Sequence, residues 1–133
     1  MHAQPTLSLA SDAQITTSVS NLKIGFTFPV HNYSNQNQEC WVRIFIGDAE
    51  GKLVQIYHGS KLMVDKGKTV YFRRTYNWED IHLWFPHDPY LYQLHIVLYD
   101  TRWKPIEYKI QRFGVRELSV DGTRLFLNGG SYT

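Results

Sequence analysis

A chain of 133 residues is long enough for one domain with its own core and too short for two. Hydrophobic residues at 43% and charged residues at 20% are those of an ordinary globular protein, and an aromatic content of 15% favours a sheet. The net charge of +2 arises from 14 basic residues that are dispersed apart from Arg73 and Arg74, which argues against a nucleic-acid partner, and the single Cys40 excludes an internal disulfide.

Met1 to Asp12 is polar, carries Pro5 and has no hydrophobic period, so residues 1–12 read as a tail or linker. It lacks the basic start and apolar run of a secretory signal, and no stretch of the chain approaches the roughly 20 apolar residues of a membrane span. Ala13 to Val19 is a short edge strand. From Leu22 to Asn32 the residues alternate, with Leu22, Ile24, Phe26, Phe28 and Val30 on one face and Lys23, Gly25, Thr27, Pro29 and His31 on the other. Pro29 predicts an edge position or a bulge. The cluster from Asn32 to Gln38 forms a turn and contains the glycosylation acceptor pattern Asn32-Tyr33-Ser34.

Glu39 to Gly47 is the next strand, with Cys40, Val42, Ile44 and Ile46 inward and Trp41, Arg43 and Phe45 outward. Gly47 to Gly51 makes a hairpin loop, Leu53 to Tyr57 returns as a shorter strand, and His58 to Lys68 reads as a loop. Thr69 to Trp78 is an aromatic and basic strand in which Val70, Phe72, Tyr76 and Trp78 share a parity with Arg74. The arginine fits a sheet edge, where its stem packs and its head meets water.

Pro86 and Pro89 then make a rigid turn, after which Tyr92, Leu94, Ile96 and Leu98 alternate with Gln93, His95, Val97 and Tyr99 in a central strand. Tyr92 reads either as a corner tyrosine that returns its hydroxyl to upstream backbone or as a large core residue with a wet tip. After the loop from Thr101 to Pro105, Ile106 to Arg112 forms the last strand of the set. No helical period runs through the chain, so the fold class is all-β: an immunoglobulin-like antiparallel β-sandwich of about seven strands over residues 13–116. Beyond it, Val115 to Val120 and Thr123 to Leu127 read as strands joined by an Asp121-Gly122 hairpin. Asn128-Gly129-Gly130 is a turn of the same chemistry, which a further strand should follow, yet the chain stops at Thr133. Residues 117–133 therefore read as a hairpin and linker leading toward something larger.

Three motifs carry a resemblance: LW.P..P.LY.L (Leu83 to Leu94), RFGVRE (Arg112 to Glu117) and DGTRLFLNG (Asp121 to Gly129). In this order they resemble the immunoglobulin-like sandwich domain of glycoside hydrolase family 2, which includes β-galactosidases, β-glucuronidases and β-mannosidases. The likeness covers about Ala13 to Gly129. It departs from the family at Phe85, where a small residue is usual, and at Gly130 and Ser131, where Lys-Pro is common. The resemblance implies a jelly-roll domain before the sandwich and a catalytic barrel after it as partners, a retaining mechanism whose two glutamates belong to the barrel, and a non-catalytic role for this chain.

The residues themselves agree with that role. Asp48, Glu50, Glu79 and Asp80 read as solvated turn charges rather than a catalytic pair, and His82, His87 and His95 lack metal-ligand spacing, so no catalytic, metal or cofactor site is expected. If the strands of Trp41 and Tyr99 share a sheet, Trp41, Phe45, Val97 and Tyr99 lie on one outer face. That face reads as a domain-docking surface, as ordinary cross-strand aromatic pairing, or as a stacking platform for a sugar ring. A free-standing adhesion or carbohydrate-binding domain is the alternative reading of the whole chain.

Overall fold

The computed structural model describes residues 6–18, 21–116, 118–121, 124–127 and 130–132. Nine strands among them make two antiparallel sheets that face each other, two strands more than the sequence predicts. The first sheet joins β1 (Leu7–Leu9), β2 (Gln14–Ser18), β3 (Lys23–Asn32) and β7 (Thr69–Asn77). The second joins β4 (Gln38–Gly47), β5 (Leu53–Ile56), β6 (Ser60–Val64), β8 (Tyr92–Tyr99) and β9 (Pro105–Phe113). Three further strands, β10 (Leu118–Asp121), β11 (Arg124–Leu127) and β12 (Gly130–Tyr132), form an antiparallel sheet of their own.

The two additional strands are β1 and β6. Leu7–Leu9 falls within the stretch expected to be a tail, yet it pairs with β3 from Val30 to Asn32 and buries Leu7 and Leu9 in the core. Two apolar residues are too few to show a period. Ser60–Val64, expected to be loop, pairs with β4 from Gln38 to Val42, and Val64 is buried with Leu62 packed against the core. Gly130–Tyr132 pairs with β11, which corrects the reading that the chain stops before a strand can follow Asn128-Gly129-Gly130: the strand begins at Gly130 itself, which was expected in the turn. Asp121 lies opposite Arg124, one residue later than an Asp121-Gly122 turn requires; Gly122 itself is outside the described residues.

Between the sheets the inward rows of β3 and β7 meet those of β4 and β8: Phe26, Phe28, Val30 and Phe72 face Val42, Ile44, Leu94 and Ile96, all buried. The Phe28 and Phe72 rings stack with centroids 5.0 Å apart. Burial of this kind is the main stabilising term of such a fold, at roughly 25 cal/mol per Å² of apolar surface. Arg74, at the edge strand β7, is exposed and lies over the Phe72 ring at 4.7 Å, so its stem packs and its head stays wet.

Pro29 occupies neither an edge nor a bulge. β3 is central, paired with β7 on one side and with β1 and β2 end to end on the other. The Pro29 carbonyl accepts from Ala10 N–H at 3.3 Å, which shows that Pro29 faces the seam between β1 and β2. A strand residue points its N and O to the same side, so the missing donor of proline falls where no ladder bond is required. Asn32 is likewise a structural residue rather than a glycan acceptor. It is fully buried; Nδ2 donates to the carbonyls of Gln36 and Val64 at 2.8 and 2.9 Å, and Oδ1 accepts from the Ser34 N–H at 2.8 Å.

The open flank of the sandwich is closed by side chains of β9. Glu107 accepts from Leu9 N–H at 2.7 Å, Gln111 bonds both the N–H and the carbonyl of Ala13 at 2.9 Å, and Lys109 pairs with Asp12 at 2.8 Å. These polar residues lie on the parity of inward Leu98, Ile96 and Leu94 in the register with β8. β9 therefore turns its polar row inward and its apolar row, Tyr108 and Ile110, outward to solvent.

Tyr92 is buried, and its hydroxyl accepts the backbone N–H of His82 at 2.7 Å, so the ring both fills the core and fixes the chain ten residues upstream. Burial holds its phenol above the ordinary range, with the His82 N–H opposing. The turn before it closes through reciprocal bonds between Phe85 and Asp88, with Pro86 at the second position, where its fixed φ fits.

Candidate functional site

The register between β4 and β8 sets Trp41 opposite Tyr99, Arg43 opposite Val97 and Phe45 opposite His95. The four residues expected on one outer face are thus on one face. Phe45, Val97 and Tyr99 line a groove of about 460 Å³ together with Leu53, His95 and Tyr108. Trp41 is set apart from that groove because Trp103, from the β8–β9 loop, stacks on it with centroids 4.8 Å apart and planes 18° apart. Val97 is buried, so it forms the floor rather than a wall.

Trp103 and Tyr108 belong to this face and were not singled out from the sequence as part of it, whereas His95 lies on it as the outward row of β8 predicts. The strand reading of Ile106 to Arg112 assigns no faces; in the structure Ile106 packs against the core, while Tyr108 and Ile110 point outward at 54% and 52% exposure. Leu53, Ile56 and Met63 add to the same face, all exposed. The outer face of the opposite sheet differs: it shows Lys23, Thr27, Arg73 and Thr75, with Tyr71 as an exposed large ring. One sheet is thus finished for water, while the other presents an apolar surface of the kind that marks an interaction site.

His95 meets the Tyr108 hydroxyl through Nδ1, and its ring lies at 67° to the tyrosine ring. Its Nε2 is buried without a hydrogen-bond partner among the described residues, and burial holds the imidazole below its ordinary value of 6.5. The other histidines lie elsewhere. His82 Nε2 stands 2.6 Å from Asp88 Oδ2 with its ring stacked on Tyr90, and His87 stacks on Phe85. Among the described residues no group of three histidine, cysteine or acidic side chains is placed to hold a metal ion. Cys40 is buried, and desolvation pushes its thiol up to about 11.

Six of the carboxylates have structural tasks. Asp48 Oδ1 accepts from the backbone N–H groups of Glu50 and Lys52, and Asp100 Oδ1 from those of Arg102 and Lys104, which holds Asp100 below the usual carboxylate range. Glu39 pairs with Lys61 at 3.3 Å, Asp12 with Lys109, Asp88 with His82, and Glu107 closes the flank.

The two terminal motifs of the sandwich meet in space. Trp84 N–H donates to the Val115 carbonyl at 2.8 Å, the indole lies against Gly114, and the Arg116 guanidinium sits 4.6 Å from its centroid.

The profile of Glycosyl hydrolases family 2 matches residues 8–116. A β-galactosidase large subunit of Lactobacillus helveticus is 41% identical over 59 residues, 38% of this chain and 9% of the relative. A β-glucuronidase of Paenibacillus borealis is 31% identical over 88 residues, 66% of this chain and 13% of the relative. The crystal structure of a glycosyl hydrolase family 2 member from Bacteroides cellulosilyticus superposes with a TM-score of 0.84 at 19% identity, covering 95% of this chain and 18% of that one. The chain spans about a tenth of the length of the relatives it matches.

Proposed function

The chain belongs to glycosyl hydrolases family 2, and on that footing we propose that it is the non-catalytic sandwich module of a larger β-galactosidase-like or β-glucuronidase-like enzyme. Its work is mechanical: it holds a sugar-binding jelly roll and a catalytic barrel in fixed relation. Small misplacements of catalytic groups are expensive in rate, so a rigid spacer contributes to turnover without touching substrate.

The observation that carries this reading is the outer face of the five-stranded sheet. On this face the exposed Tyr108 and Ile110 join Phe45, Val97 and Tyr99 in one apolar surface of the kind that a partner covers. These residues form the docking face for a neighbouring domain.

Two experiments test it. The purified 133-residue chain is expected to show no turnover of nitrophenyl β-galactoside or β-glucuronide above buffer; hydrolysis by the pure chain overturns the non-catalytic role. An immunoblot of source cells with an antibody to this domain should show a polypeptide several hundred residues larger, as a barrel of about 250 residues plus a jelly roll requires. A band at the size of this chain would favour the free-standing binding module instead.

A further inference from the structure

Two hairpins on this sheet share one turn. In the first, Asp48 N–H donates to the Lys52 carbonyl at 2.8 Å and Gly51 N–H to the Asp48 carbonyl at 3.0 Å. In the second, Asp100 N–H donates to the Lys104 carbonyl at 2.9 Å and Trp103 N–H to the Asp100 carbonyl at 3.0 Å. In both, the aspartate Oδ1 accepts from the residues two and four later. The fourth position of each is left-handed: Gly51 has φ 87° and Trp103 has φ 63°. This three-residue-loop geometry normally takes glycine there, and a bulky side chain at positive φ is strained. The chain thus places its largest side chain where its sister turn has none.

The surroundings hold that tryptophan in position. One face of the indole lies on Trp41, Tyr99 stands 5.4 Å away at 57°, and Gly59 leaves room for the ring edge, since a methyl there would lie 3.3 Å from Trp103 Cη2. Trp103 is nevertheless 48% exposed with one face against Trp41. The Trp41 edge is flanked by polar groups: Lys61 Nζ lies 5.9 Å from the Trp41 centroid and 3.3 Å from Glu39 Oε2. Arg43, whose Cγ lies beside Gly59, holds its guanidinium 5.0 Å over the Phe45 ring. Backbone strain held at a surface residue points to a function for that residue.

We propose that Trp103, backed by Trp41 and bordered by Tyr99, is a stacking ledge for a pyranose ring. The open indole face meets the C–H face of the sugar, and the Arg43 guanidinium, on the Trp103 side of Trp41, supplies donors for its hydroxyls. The site lies at the Trp41 end of the sheet, beside the groove of Phe45 and Tyr108, and it stands whether or not that groove docks a domain.

The test is a ¹H–¹⁵N NMR titration of the 133-residue chain with methyl β-D-galactopyranoside and with methyl β-D-glucuronide, compared with Trp103→Gly. Glycine is the residue of the sister turn, so this variant keeps the hairpin geometry. The indole N–H signals of Trp103 and Trp41 are expected to shift with millimolar affinity for at least one sugar. Affinity should fall about tenfold or more in Trp103→Gly, which removes the stacking partner, while the amide spectrum of β4 and β8 stays folded. Absence of shifts with both sugars overturns the proposal. So do shifts that persist in Trp103→Gly, and so does dependence of the Trp103 signal on protein concentration in place of sugar, which would mean that a second copy covers the ledge.

Discussion

Gly114→Ala is the substitution that most directly probes how the two terminal motifs lock together. A methyl on Gly114 would lie 2.8, 3.0 and 3.1 Å from Trp84 Cδ1, Cγ and Cβ. These are atoms at the root of the indole, so rotating the ring cannot clear them. The Trp84 backbone is held by its N–H bond to Val115, and Arg116 lies over the ring. Overpacking of this kind costs roughly 1 to 3 kcal/mol, against a gain of about 0.4 to 1 kcal/mol from the stiffer unfolded chain. The net expectation is a loss of about 1 to 2 kcal/mol, which in a domain of this size lowers Tm by about 3 to 8 °C. The assay is urea and thermal unfolding of four proteins: the parent chain, Gly114→Ala, Trp84→Ala and the double variant. With the indole gone, the added methyl should be neutral or stabilising, giving a coupling energy of about 1.5 to 3 kcal/mol. A neutral Gly114→Ala in the parent chain, or equal costs in both backgrounds, would refute the contact as the reason for glycine.

Asn32→Ala should cost about 2 to 4 kcal/mol by denaturant unfolding, because the lost amide leaves the Val64 and Gln36 carbonyls and the Ser34 N–H to find other partners. Tyr57→Phe should be neutral or stabilise by up to about 1 kcal/mol, since its hydroxyl is buried without a partner among the described residues and its phenol is pushed up to about 12; a clear loss of Tm would show that the hydroxyl is satisfied. His95 has a folded value depressed below 6.5, so its contribution to stability is present above pH 6.5 and is lost as pH falls through the folded value. Equilibrium unfolding from pH 7.5 to 4.5 should show that loss, and His95→Gln should remove it; Asp100 adds a loss of the same sign only at lower pH, below its ordinary value of 3.8.

The long strands were legible because each has one buried row. In β3, β4 and β8 the residues read as inward, Ile24 to Val30, Cys40 to Ile46 and Tyr92 to Leu98, are the residues the core contains, whereas Leu22, read as the first of the β3 row, lies in the turn before the strand with φ 54° and is 45% exposed. β1 and β6 were not legible because three and five residues hold too little alternation, and their strand character comes from β3 and β4 beside them. Of the expected docking residues, Phe45, Val97 and Tyr99 line one groove, while Trp41 lies beneath a tryptophan from a loop that alternation does not place.

Two comparisons separate what the order of residues determined from what the folded chain decided. The frame Asp-x-x-x-Lys recurs at Asp48 and Asp100, and the same turn forms at both because an aspartate bonding backbone two and four residues on is a local interaction. Why the second turn carries tryptophan depends on Trp41 and Gly59, about 60 and 40 residues away in sequence, which only close packing brings near. Likewise the period of two made β9 a strand, but that period is the same whichever row faces the core. The choice was made by Leu9 N–H and the Ala13 backbone groups, whose need for partners at the flank draws Glu107 and Gln111 inward and leaves Tyr108 and Ile110 outside. Periodicity is a property of neighbours along the chain, whereas the side that is buried is settled by the backbone groups opposite it.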